Sequence, residues 1–251
     1  MTVARHFGSG VMIGTPTSGA VNTPVEFGIL QEASVDFSFT SKPLVGQFQL
    51  PVAMGRGVAK ITGKAKFAEL NGPVFNTLFF TSVTPVKGQD LWSYNEAGTI
   101  PTTPYQVTVV NSSTWSVDLG VKYAATGNPL TRVASAPATG QYSVAAGVYT
   151  FAAADTTLAV LISYTYTQTT SGSGSRFAIT NPILGLSPTF QIDFYQQNPN
   201  VVGAVWSFRL YACISTKLSI GSKLEDWLMP EFDFEAFTNA ANQLGTWNTA
   251  V

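Results

Sequence analysis

Apolar and polar residues alternate with a period of two along most of this chain. From Ala33 to Phe39 the odd positions are Ala33, Val35, Phe37 and Phe39, with Ser34, Asp36 and Ser38 between them. Between Leu44 and Leu50 the even positions carry Leu44, Gly46, Phe48 and Leu50, facing Val45, Gln47 and Gln49. The stretch from Trp115 to Tyr123 sets Trp115, Val117, Leu119 and Val121 against Ser116, Asp118, Gly120 and Lys122. Leu158 to Tyr166 and Val205 to Ile214 repeat the scheme with their even positions apolar. Successive side chains of a strand point to opposite faces, so each run buries one face and wets the other. Parallel sheets covered on both sides give continuous apolar runs instead, so the pattern predicts antiparallel sheets.

Helix signals are few. Asn71-Gly72-Pro73 precedes Val74, Phe75, Leu78 and Phe79, and proline suits a first helical turn because its missing N–H is no loss there. Ser222 with Glu225 forms a capping-box spacing before Trp227 and Leu228, and Pro230 stops the turn. From Glu231 the charged residues Glu231, Asp233 and Glu235 alternate with Phe232 and Phe234, which predicts a strand to Phe237. A turn through Asn239 to Gly245 and a last short strand around Trp247 follow.

Glycine, serine and proline mark the breaks. Thr167 to Ser175 reads as a flexible linker, and Pro85 to Pro104 as a polar, proline-containing passage of weak periodicity. Between them lies strand-rich sequence with turn signals at Gly127-Asn128-Pro129 and at Pro137 to Gly140. The expected organisation is a β-unit of residues 1–87 and 168–251 interrupted by a β-module of 88–167.

Composition narrows the function. Of 251 residues only 11% are charged, against about 25% in an average chain, and the formal net charge is -1. With no basic excess, sequence-independent binding to phosphates is not expected. No apolar run approaches the roughly twenty residues of a spanning helix, and Met1 to Gly14 holds no apolar block of signal-peptide length. One cysteine, Cys213, and one histidine, His6, exclude an internal disulfide framework and metal sites built from several such residues. A weakly charged surface suits contacts with other copies, because subunit interfaces are depleted of charge at their centres.

No catalytic constellation emerges. Gly57 to Ala65 approximates a phosphate-binding loop, but its spacer is one residue too long and Ala65 stands where a magnesium-binding hydroxyl belongs. His6 has no accompanying nucleophile elbow, and Cys213 falls on the odd side of its strand with Ser207 and Arg209, which reads as a structural thiol. Glu231, Asp233 and Glu235 share one strand face, a spacing compatible with a carboxylate pair or a calcium site and equally with an acidic stripe facing solvent, a neighbour or a channel. Lys60, Lys64 and Lys66 form a basic stripe on another strand. Such lysines guard a sheet against edge-to-edge aggregation, or they pair with an acidic stripe on a neighbouring subunit. The protein is therefore not expected to be an enzyme or to need a cofactor or metal.

The order of these pieces resembles a family. The strand Glu26 to Phe39 is followed by a Gly- and Gln-rich loop, then by Lys60-Ile-Thr-Gly-Lys-Ala-Lys-Phe-Ala-Glu-Leu70, the helix-like Pro73 to Phe80, and near the end Met229-Pro-Glu-Phe-Asp-Phe-Glu-Ala-Phe237. Gly140-Gln-Tyr-Ser-Val and Gly147 to Asp155 lie in the middle. This looks like the tail tube proteins of tailed bacteriophages. The resemblance implies a mainly β fold, an antiparallel sandwich or barrel of tail-tube type with one or two short helices, here carrying the inserted β-module. It implies rings, usually of six copies, joined sheet to sheet and stacked into a hollow tube through which DNA passes without specific binding. It places the protein in the virion tail, made in the bacterial cytoplasm, with tape-measure, baseplate or terminator proteins as partners and no membrane. It makes Thr40 to Gly57 the loop that meets the next ring, with Lys42, Gln47, Gln49 and Arg56 as its candidate contacts. Lys60, Lys64, Lys66, Glu231, Asp233 and Glu235 become candidates for the contact between subunits, with the lysine face away from the channel. The module would project outwards, since a lumenal insertion would block passage. Other phage structural roles (decoration, baseplate, terminator) share these features, and a carbohydrate-binding sandwich is the reading from another class. Against the latter, Trp115 and Trp206 fall on faces expected to be core.

Overall fold

A computed structural model describes residues 8–17, 22–69, 72, 78, 86–168, 174–177, 179, 183–185, 187–197 and 205–249. It is mainly β. The strands are β1 (Val11–Pro16), β2 (Val25–Glu26), β3 (Leu30–Val45), β4 (Pro51–Phe67), β5 (Val86–Lys87), β6 (Gln89–Thr99), β7 (Gln106–Thr108), β8 (Trp115–Tyr123) and β9 (Thr131–Arg132). They continue with β10 (Gln141–Ala145), β11 (Val148–Phe151), β12 (Ala159–Gln168), β13 (Ser175–Arg176), β14 (Thr189–Gln197), β15 (Val205–Ser219), β16 (Glu231–Phe237) and β17 (Gly245–Thr249). The chain divides into two compact units, Met1–Thr84 with Phe177–Val251, and Pro85–Arg176.

In the first unit one sheet runs β2-β1-β14-β15-β16-β4-β3, and β17 also pairs with β15. The strand β15 is long enough to take β17 along Trp206 to Leu210 and β16 along Ala212 to Ser219. In the sheet β3 and β15 are separated by β4 and β16, yet the rings of Phe37 and Phe208 meet edge-on at 6.0 Å. The sheet therefore folds over on itself and closes its inner face on one core. Phe27, Phe67, Phe190, Phe232 and Phe234 fill that core with Met12, Ile192 and Leu210. The ring of Phe234 lies over Gly63, its cross-strand partner, where a Cβ would come within 2.1 Å of it. Only glycine leaves that space, which explains an unsubstituted residue in the middle of a strand.

The second unit is a small sandwich with its own core. Three strands run β6-β12-β8 and four run β7-β11-β10-β9. Val121, Val160, Ile162 and Tyr164 come from the first sheet, and Tyr142, Tyr149 and Phe151 from the second, to form one buried cluster. The short pair β5–β13 completes the unit's ends. Because that pair belongs to it, this unit extends beyond the 88–167 expected from composition, on both sides.

The alternation from Ala33, Trp115, Leu158, Val205 and Glu231 marks real strands, and Trp247 sits in β17. Four expectations need correcting. Gly46 to Leu50 is a bend joining β3 to β4, so the alternation between Leu44 and Leu50 belongs to a hairpin tip and not to one strand. Ser222 to Leu228 forms no helix: a turn spans Leu224 to Asp226, Glu225 has φ 62°, and Leu224 and Trp227 stay exposed with no core to bury a helical face. The passage Pro85 to Pro104 contains the eleven-residue strand β6. Its alternation is obscured because Trp92 and Tyr94 face solvent and Asn95, at φ 58°, breaks the register against β12. Finally, Cys213 is buried with the core and not on the side of Ser207 and Arg209. Between Phe190↔Cys213 and Ile192↔Leu210 one residue of β14 faces two of β15, and this bulge turns Cys213 inwards. The helix expected at Pro73 to Phe80 and the linker from Thr167 to Ser175 lie largely outside the described residues.

Candidate assembly surface

The strands β3 and β4 outrun the rest of their sheet. They pair with each other from Leu30↔Phe67 to Val45↔Pro51, but β16 accompanies β4 only along Ile61 to Lys66. Beyond the pair Phe37↔Ile61 the two strands therefore form a two-stranded arm. Antiparallel partners share a face, so Pro43, Met54 and Arg56 continue the face of Phe37 and Phe39, which nearer the base packs on the core. In the arm nothing among the described residues covers that face. Phe39, Leu44, Val45, Val52, Met54 and Val58 are exposed, and at the tip Phe48 and Leu50 are 73% and 79% exposed. The arm keeps its strand pairing, and its apolar side chains face water on both faces.

The four residues expected as contacts of the ring-stacking loop lie on this arm and are exposed: Lys42 on β3, Gln47 and Gln49 in the bend, and Arg56 on β4. The Arg56 guanidinium stacks on the Phe39 ring, 4.3 Å from its centroid. No carboxylate occurs from Phe37 to Ala68, so Lys42 and Arg56 leave the arm cationic as well as apolar.

The six residues expected at a subunit contact are brought together, but within one chain. β16 lies beside β4, which aligns Glu231 with Lys66 and Asp233 with Lys64. Lys66 Nζ lies 3.2 Å from Glu32 and 3.3 Å from Glu231, and Lys60 Nζ lies 2.8 Å from Glu235. Hydrogen bonds from Lys66 to Glu32 and Glu231, with their charges, hold its pKa above the ordinary lysine value. The basic and acidic stripes thus complement each other in a ladder on one sheet face. The expectation that the lysines need an acidic stripe from another subunit is corrected on this point. Sequence reasoning found both stripes; it could not see that their strands are neighbours, because they are separated by about 170 residues of chain.

The remaining sequence candidates form no catalytic or metal-binding grouping among the described residues. Gly57 to Ala65 lies within β4, fully extended, and offers no loop to cradle a phosphate. Burial pushes the Cys213 thiol up to about 12, so no reactive thiolate forms near neutral pH. No group of three or more metal-ligating side chains converges among the described residues. His6 lies outside them.

The described residues of the first unit line at least two concavities. One, of about 790 Å³, opens between β3 and the strands β14 and β15, and is walled by Met12, Val35, Phe37, Phe194, Trp206, Phe208 and Trp247 among others. Among the described residues Glu32 is its one titratable lining residue, and that carboxylate already holds Lys66. The other, of about 530 Å³, is lined by Ser9, Gly10, Val11, Glu26, Gly28, Ile29, Leu30 and Glu69. Sequence reasoning missed both, because each is assembled from distant segments.

No helix among the described residues is long and apolar enough to cross a membrane. No known protein-family profile matches the chain, and no curated protein matches its sequence.

Proposed function

We propose that this protein is a structural subunit that builds a tube from copies of itself, as in the tail of a bacteriophage. In this reading copies join side by side through open sheet borders into rings of six, and rings stack through the β3–β4 arm. The observation that carries it is the arm: a long hairpin with apolar side chains on view to its tip, in a unit with no catalytic grouping among its described residues. Exposed apolar surface of this extent marks a contact site. Among the described residues β3 has a partner on one border only, and an unpaired border is a template for another strand. The resemblance of the flanking segments to tail tube proteins points the same way.

The charge distribution suits a conduit. Lysines that would hold DNA through its phosphates are here matched by Glu32, Glu231 and Glu235. The protein would then reside in the virion, assembled in the host cytoplasm with other tail proteins, and DNA would pass without being bound.

The test is electron microscopy and sedimentation of the purified full chain at increasing concentration. Stacked rings or tubes are expected. A monomer at every concentration refutes the proposal, and a closed ring that never stacks assigns the protein to a terminator or baseplate role instead. A second reading rests on Trp92 and Tyr94, which stand exposed on β6 of the second unit as a stacking surface for sugars. Binding to a glycan array by the monomeric chain would favour it.

A further inference from the structure

The arm's tip needs a receiving surface, and the chain's own charges indicate where it lies. Resting on the self-assembly reading above, we propose that the arm of one copy docks into the acidic depression formed by Val11, Glu26, Ile29 and Glu69 on the next.

The first argument is complementarity. Outside the base of the hairpin the arm carries Lys42 and Arg56, neither in an ion pair among the described residues, and the apolar tip residues Phe48 and Leu50. Its partner must therefore be apolar, concave and acidic. Most carboxylates of this unit are already engaged: Glu32 and Glu231 by Lys66, Glu235 by Lys60, Asp193 by Arg209 and Asp226 by Lys223. Asp36, Asp233 and Glu225 are in no ion pair among the described residues either, but none of them lines either concavity. Glu26 and Glu69 do. They line one depression, have no cation beside them among its lining residues, and share it with exposed Val11 and Ile29.

The second argument is position. The depression is walled by Leu30, where β3 begins, and the tip follows Val45, where β3 ends. Fifteen strand steps of about 3.3 Å, a contour of roughly 50 Å, lie between the two, at opposite ends of one strand. A copy cannot reach its own depression with its own tip, so the contact must be made with another. A contact joining opposite ends of identical molecules is head-to-tail, and unless its rotation closes it runs on without limit. That is the geometry a stack requires.

The experiment is sedimentation velocity and electron microscopy on the full chain, with circular dichroism to verify folding. Lys42→Glu with Arg56→Glu is one variant, and Glu26→Lys with Glu69→Lys the other. Each should weaken stacking by about tenfold or more at low salt, the effect shrinking as salt is raised. Combining all four substitutions should restore stacking to within about threefold of the unaltered chain, since the charges are then exchanged and still opposed. If the arm variant fails to stack while the Glu26/Glu69 variant stacks normally, the arm docks elsewhere: this inference falls and the self-assembly reading stands. If the fourfold variant gains nothing over the two doubles, the inference likewise falls. If the unaltered chain never associates but its arm binds phosphatidylglycerol vesicles, both fall, and the arm's partner is an anionic lipid surface.

Discussion

The two compact units solve the same problem, a β-sandwich of modest size, with opposite chemistry. The second unit places carboxylates inside. Asp118, its side chain 3% exposed, accepts hydrogen bonds from the hydroxyls of Tyr142 (2.7 Å) and Tyr149 (3.0 Å) and from the Gly120 N–H, with Arg132 at 3.7 Å. Asp155, wholly buried, accepts from Tyr123 and from the Gly140 N–H, both at 3.0 Å. Glu96 accepts from Tyr164 at 2.6 Å and from the Val110 N–H at 2.8 Å. Burial and the Asp118 charge raise the pKa values of Tyr142 and Tyr149 above the usual tyrosine range, so both hydroxyls keep the protons they donate. A buried carboxylate is tolerated only when its oxygens are satisfied, and these networks fix how the two sheets of the unit meet. The first unit keeps its carboxylates on the surface and packs its core almost entirely with phenylalanine and aliphatic side chains. Among the described residues it then leaves an apolar arm, an apolar cleft and one border of β3 uncovered. The second unit fastens its two sheets to each other through these buried carboxylates, although Trp92 and Tyr94 stay exposed on it. The first unit exposes the long apolar arm, which is why the proposed assembly is assigned to it.

The sharpest way to break this contrast is at the tip. Phe48→Asp with Leu50→Asp removes two side chains whose burial contributes about 2 kcal/mol each, so association should fall about a thousandfold. The melting temperature of the dispersed chain should not change, because neither residue packs on its own copy. Sedimentation and calorimetry read the two effects separately, and a fall in melting temperature would mean the tip folds back on its own unit. Next in size is Asp118→Ala, which strands two tyrosine hydroxyls in the second core. It should cost about 3 kcal/mol of that unit's stability and leave association intact. Calorimetry showing an unperturbed second unit would remove the basis of the contrast.

Gly63→Val sharpens the other side. The new side chain meets the Phe234 ring and should destabilise the first unit by about 2 kcal/mol, measured by chemical denaturation. A smaller effect concerns pH. The folded-state pKa of Cys213 is raised, so the folded chain retains a proton that the unfolded chain loses. Its contribution is complete below the thiol's ordinary value of 9.0, then declines as pH climbs towards about 12. Cys213→Ala should flatten that part of the alkaline stability curve, and the native thiol should resist labelling at pH 8 until the chain is unfolded. The least effect is expected from Lys66→Met. Its ion pairs with Glu32 and Glu231 are solvent-exposed, so melting temperature should be unchanged within error.

Much of the fold is legible in the alternation, because a period of two needs no knowledge of partners. The strands at Ala33, Trp115 and Glu231 were recoverable in this way, as was the turn after Phe237, which Asn239 closes by accepting from the N–H groups of Ala241 and Gln243. Trp115 and Trp206 lie against the two cores, as their places in the pattern indicate. The pattern misleads where one residue is inserted. The bulge in β15 reverses the side on which Cys213 lies, and Asn95 masks β6, because each shifts the phase of an otherwise regular count.

By itself, then, the order of residues determined that this is a β protein with few charges, two opposed charged stripes and a carboxylate-free stretch from Phe37 to Ala68. Those are properties of local spacing and of composition, which survive without any contact. Only the tertiary structure decided that the stripes face each other on β4 and β16, that the apolar half of the alternation is buried at the base of the hairpin and bare at its tip, and that Glu26 and Glu69 share one depression. Each depends on which distant strands become neighbours and where that pairing stops, and strand pairing is a non-local choice that no window along the chain contains.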